Sequence, residues 1–124
     1  MESVNQYYTA TLTDSVIQVQ YRQISHISIR DARTIVVDRI RYFQDRQFPV
    51  LIKRAKIKSI DKTARDFLFD TQFGLKNIKA IAFIEFSAVD QILLKFIFHQ
   101  HTPRIPHRTF RNENDALAWL YLYR

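Results

Sequence analysis

Cysteine is absent from the 124 residues, which removes disulfides, thiolate metal sites and cysteine nucleophiles and fits a reducing compartment. Glycine occurs once, at Gly74, and proline three times, at Pro49, Pro103 and Pro106. A Gly-rich phosphate loop, a long linker and a low-complexity segment all need residues this chain does not have. No apolar run approaches the roughly 18 residues of a membrane span, and the opening MESVNQYYTA has no basic stretch ahead of an apolar one. The reading is therefore a soluble, unprocessed, cytoplasmic protein, with no internal repeat. A chain of this length folds as one domain, 1–124, hiding roughly two-thirds of its unfolded surface without staples.

What the chain has in excess is positive charge: nineteen Lys and Arg against twelve Asp and Glu, a formal +7. Residues 30–65 hold eleven of the basic residues and four of the acidic ones, which accounts for the whole excess. Lys53, Arg54, Lys56 and Lys58 form the closest basic grouping. A localised positive field attracts nucleic acid, an anionic membrane surface or an acidic partner protein. Because the basic residues form no dense run, a solvated helix face explains them as well.

Tyr7 to Thr13 and Val16 to Tyr21 are β-rich runs around Asp14-Ser15, the pattern of a hairpin. Thr9, Thr11 and Thr13 alternate with Tyr8, Ala10 and Leu12, as in a strand with one wet face. Ile24 to Ile27 is a candidate third strand. Ser28 with Asp31 three residues later reads as an N-cap, and Ala32, Ile35, Val36, Ile40 and Phe43 recur at helical spacing, predicting a helix over 29–45. Pro49 opens a strand whose Val50, Leu51 and Ile52 are continuously apolar, as a central parallel strand requires. Asp61 is the expected cap of a helix containing Ala64, Phe67 and Leu68 that ends near Gly74 as its C-cap.

KAIAFIEF at 79–86 reads as a second buried strand. In the stretch 88–100, Val89, Ile92, Leu93, Phe96 and Ile97 repeat at helical spacing, and Pro103 stops the pattern. His107 to Phe110 can form a short last strand, and Asn112 caps a closing helix through Tyr123 with Ala116, Leu117 and Leu120 as its buried stripe. The order, a hairpin followed by αβαβαβα, implies an α/β domain with a mixed sheet of about four to six strands and about four helices.

With PVLIKRAKIKSIDKTAR at 49–65, KAIAFIEF at 79–86 and FRNENDALAWL at 110–120, the whole chain resembles a small STAS-type domain. That fold is shared by bacterial anti-sigma-factor antagonists and the cytoplasmic regions of sulfate transporters, and the likeness is to a little-characterised single-domain bacterial branch. In the antagonists, the turn after the central strand carries Ile-Asp-Ser-Ser, and phosphorylation of the first Ser switches partner binding off. This chain reads Ile60-Asp61-Lys62-Thr63, so Lys62 stands where the phosphorylated residue would be and the usual switch is missing. Thr63, one residue on, either accepts phosphate at a helix N-terminus or is an ordinary first-turn threonine. The branch's strand tends to carry an acid where Lys53 stands, so Lys53-Arg54 reverses the local charge and bears on any inherited partner preference.

His99, His101 and His107 lie within nine residues and invite comparison with a metal site. His99 and His101 diverge on a helix, however, and no further ligand is evident, so no metal and no cofactor are expected. His107, Arg108 and Arg111 are alternative anion ligands. The apolar run through Ile92, Leu93, Phe96 and Ile97 marks a helix that packs in the core, faces a second copy of the chain, or lines a site for an apolar ligand. Glu85 is the single acid on a buried strand, without a second group to work with. Nothing here supports catalysis. The expectation is a non-enzymatic regulatory domain, homodimeric, that docks a partner protein through Ile60, Asp61, Lys62, Thr63 and Arg65. The alternatives are nucleic-acid or anionic-surface binding through the basic segment, and binding of an apolar small molecule.

Overall fold

Asp14 and Ser15 both adopt left-handed backbone, with φ of 53° and 64°, the two-residue turn whose twist suits a hairpin. They join β2 (Tyr8–Thr13) to β3 (Val16–Tyr21) in antiparallel register, Tyr8 opposite Tyr21. A short strand β1 (Glu2–Val4), which the alternation pattern did not announce, adds antiparallel to β2. The computed structural model describes residues 2–54, 56–84 and 104–124, apart from the Arg54 side chain.

From β3 onward the pairing is parallel, through β4 (Phe48–Arg54), β5 (Ile78–Ile84) and β6 (His107–Phe110). The six strands stand in chain order across one mixed sheet. Three α-helices accompany it among the described residues: α1 (Ile29–Tyr42), α2 (Lys62–Leu68) and α3 (Glu113–Leu120), the last continued by a 3-10 turn, Tyr121–Tyr123. The expected helix over 88–100 lies outside the described residues.

Period-two alternation divides the core. Phe48, Val50 and Ile52 of β4 with Ile81 and Phe83 of β5 face α1 and α2, in a cluster with Tyr8, Ala10, Ile17, Val19 and Ile35. Leu51, Ala80, Ala82 and Ile84 face the other way and pack on Ala116 and Leu120 of α3. The small Ala80 and Ala82 let that helix approach the sheet closely, and the fully buried Ala32 and Ala64 do the same where α1 lies beside α2.

Helix ends follow their caps. Ser28 opens α1 in a reciprocal capping box with Asp31. The helix stops at Tyr42, three residues short of the expected end, because Gln44 and Asp45 turn left-handed, at φ of 59° and 56°. Asn112 caps α3 by accepting from the Asp115 N–H at 2.9 Å. α2 starts after Asp61 as expected but departs from expectation at its end. It closes at Phe69, and Gly74 is part of the following turn, where its N–H donates to the Phe67 carbonyl at 2.9 Å. Glycine is needed there for space, since a Cβ would collide with the Leu68 backbone.

Candidate functional site

At the carboxyl edge of the parallel strands, the β3–α1 and β4–α2 connections pair with each other. Ile24 bridges Ile57 and Ile27 bridges Ile60, both in parallel. Four backbone hydrogen bonds hold the ribbon: Ile24 N–H to Lys56 O at 2.9 Å, Lys58 N–H to Ile24 O at 3.0 Å, Ile27 N–H to Ser59 O at 3.1 Å and Asp61 N–H to Ile27 O at 2.9 Å. The isoleucines turn inward against the core while His26, Ser59 and Asp61 stay exposed. Two residues of unpaired loop thus become a short extension of the sheet, which gives the turn a defined shape.

His26 pins the outer side. Its Nδ1 lies 2.6 Å from Ser59 Oγ and its Nε2 2.9 Å from Asp61 Oδ1. Ser59 in turn donates its hydroxyl proton to the Ser25 carbonyl at 3.1 Å. The imidazole thus bridges Ser59 and Asp61 through its two ring nitrogens. The trio is a latch between two connections. Sequence reading missed it because His26 lies 33 and 35 positions from its partners, a separation only the parallel crossovers bring together.

The expected turn residues are divided by this geometry. Ile60 is half-buried as the inner bridge. Asp61 occupies the N-cap position of α2, but its side chain makes no capping bond because it is turned to His26. Lys62 and Thr63 are exposed on the first helical turn. Arg65 is only 8% exposed and packs inward, within 3.8 Å of Asp66, so it does not share the surface with the others.

The basic grouping is likewise broken up. Lys53 faces α3 and pairs with Glu113 at 3.1 Å, across the sheet from α1 and α2, whereas Lys56 and Lys58 are exposed on the ribbon. Arg46 lies over the Phe48 ring and Arg39 binds carbonyls, so further charges of the 30–65 segment are engaged locally. Ile92, Leu93, Phe96 and Ile97, with Glu85, His99 and His101, lie outside the described residues. His107 sits on β6 with its Nδ1 3.0 Å from the Ile105 carbonyl, and Arg108 lies over the Phe110 ring. Among the described residues no cluster of three or more His, Asp or Glu could hold a metal, and no helix is long and apolar enough to cross a membrane.

On the inner side of the ribbon, Ile57, Ser59 and Ile60 line a cavity between the sheet and the two helices. The far wall is formed by Tyr8, Tyr21 and Arg39. Burial pushes the Tyr8 phenol up to about 12 and raises Tyr21 as well, while it lowers Arg39 from its ordinary value.

Comparison with known proteins agrees with this architecture. An uncharacterised DUF3478-family protein with a SpoIIAA-like fold from Shewanella loihica PV-4 superposes with a TM-score of 0.58, covering 95% of this chain and 98% of that one at 15% identity. That likeness establishes the fold as SpoIIAA-like, the STAS-like architecture. A protein of unknown function from Arthrobacter sp. FB24 is 25% identical over 91% of this chain and 98% of its own, with a TM-score of 0.33. No curated protein matches. The model of a domain of unknown function, DUF7793, matches residues 10–124, and the chain belongs to that family.

Proposed function

We propose that this domain acts in the cytoplasm without catalysis of its own, by docking a partner protein at the carboxyl edge of its sheet. The contact surface is the turn from Ile60 to Thr63, together with the exposed Lys56 and Lys58 beside it. The observation that supports this reading is the double bridge between the connections. It presents Asp61, Lys62 and Thr63 on a shaped, hydrogen-bonded edge, and holding a surface in one conformation lowers the ordering cost of binding. The STAS-like fold is typically non-enzymatic.

Lys62 at the position of the usual phosphorylated serine implies docking that is not switched in the usual way. Thr63, exposed one residue on, is the place where phosphate would act if the domain is regulated. Self-association through Ile92, Leu93, Phe96 and Ile97 belongs to the same proposal and rests on the sequence pattern. Light scattering that returned a monomer mass, unchanged by Phe96→Asp, would remove it.

The test of docking is an affinity capture from native lysate, comparing the wild-type chain with the double variant Asp61→Lys/Thr63→Glu at two salt concentrations. A protein retained by the wild type and lost by an equally stable variant supports the reading. Recovery of nucleic acid alone, released by salt and indifferent to the turn, replaces it with binding through the basic segment, because counterion release makes such affinity steeply salt-dependent.

A further inference from the structure

Between the sheet and helices α1 and α2 the core is not filled. A cavity of about 150 Å³ remains, lined by aliphatic side chains from both layers, among them Val19, Ile35, Ile52, Leu75 and Ile81. Folded cores hold few voids larger than a water molecule, and an apolar void of about this size stays dry and takes up a small apolar molecule such as benzene.

One wall differs in chemistry. Tyr8 is 2% exposed, and among the described residues its hydroxyl has no hydrogen-bond partner. Its ring packs edge-on against Tyr21 at 5.8 Å between centroids, placing the two phenols side by side across the β2–β3 register. Arg39 lines the same cavity and its charge is felt by both phenols, while at Tyr8 the charge of Asp38 opposes it. Two of the Arg39 N–H groups are spent on the carbonyls of Gly74 and Lys76, at 2.8 and 2.6 Å, and among the described residues no carboxylate pairs with it. A guanidinium carries five donors, so three remain. A buried hydroxyl left unpaired costs free energy, and here it belongs to a residue lining the same apolar void as Arg39.

We propose that this cavity is a binding site for a small carboxylic acid with an apolar body, the tail lying among the aliphatic side chains and the carboxylate held by the Tyr8 hydroxyl and Arg39. The size sets the class: a medium-length acyl chain or a single aromatic ring fits, and a long-chain lipid does not. The remaining donors of Arg39 favour an anionic head over a cationic one. The site is separate from the docking turn, although Ser59 and Ile60 border both, and it stands whether or not a partner protein is found.

Isothermal titration with octanoate, n-octylamine and butyrate tests it on the full chain. Octanoate is expected to bind one to one, at least about tenfold more tightly than the amine, which lacks the anionic head, or butyrate, which lacks the tail. Tyr8→Phe is expected to weaken octanoate by about tenfold, the order expected for a lost hydrogen bond to a charged group, while its melting temperature without ligand stays level or rises, because an unpaired hydroxyl has been removed. Ala10→Leu, which grows into the cavity, is expected to abolish binding. The proposal is overturned if octanoate fails to bind at millimolar concentration, if it binds no better than octylamine, or if Tyr8→Phe leaves its affinity unchanged.

Discussion

Asp31 shows how much one short side chain can organise. Its carboxylate accepts from the Ser28 N–H and hydroxyl, both at 2.9 Å, and from the Tyr7 hydroxyl at 2.7 Å, tying the start of α1 to the strand edge. The backbone bond from Ser28, followed by the Tyr7 bond, holds its carboxyl below the ordinary value. A carboxyl with a lowered folded pKa contributes its stability above about pH 4 and loses it as pH falls through the folded value. Asp31→Ala is therefore expected to cost about 1 kcal/mol at pH 7, the usual worth of a cap, and progressively less below pH 4, as read from urea midpoints at the two pH values. Gly74 is the second informative residue. Its substitution by Ala forces the Leu68 backbone to move, and a loss of roughly 1–3 kcal/mol is expected by thermal or urea unfolding, as for other overpacked sites.

Among the elements, α3 depends most plainly on a few contacts. It covers the second face of the sheet through Ala116 and Leu120, both fully buried, whereas Leu122 just beyond it is 78% exposed. Leu120→Ala should cost about 2–5 kcal/mol in equilibrium unfolding, while Leu122→Ala should stay within about 0.5 kcal/mol of the wild type. Most elements were legible in the sequence because their signals are local. The Asp14-Ser15 turn, the Ser28 and Asn112 caps and the unbroken Val50-Leu51-Ile52 run each act within a few residues. β1 was not legible, because a three-residue strand carries no periodicity and forms only by adding to an edge. The end of α2 was misread at Gly74 for a related reason. A lone glycine signals either left-handed backbone or a close approach, and only the packed turn shows that it is the second.

For the whole molecule, the tyrosines of the first core make stability sensitive to alkali. Burial raises Tyr8 to about 12 and also raises Tyr21, and the hydrogen bond to Asp31 raises Tyr7. An unfolded phenol titrates near 10, so the unfolded chain releases these protons first, and stability present below about pH 10 drains away toward pH 12. Unfolding midpoints compared at pH 8 and pH 11 should fall, and Tyr8→Phe should lessen the fall. The same three-dimensional arrangement undoes the impression of a basic segment. Of the positive residues close in sequence, Lys53 is paired to Glu113 on one face of the sheet, while on the other Arg39 is bound to carbonyls and Arg65 is buried.

By itself the sequence determined the class of fold, the order of most described elements, the parallel centre of the sheet and the absence of cysteine chemistry, since these depend on composition, periodicity and residues near one another along the chain. Tertiary structure alone decided the two places of functional interest. The latch of His26, Ser59 and Asp61 and the tyrosine-arginine wall of the cavity both join residues more than ten positions apart. For the latch, parallel crossovers create that proximity by laying the start of each crossover on the same edge of the sheet; in the wall, the β2–β3 hairpin sets Tyr8 beside Tyr21 and helix packing adds Arg39.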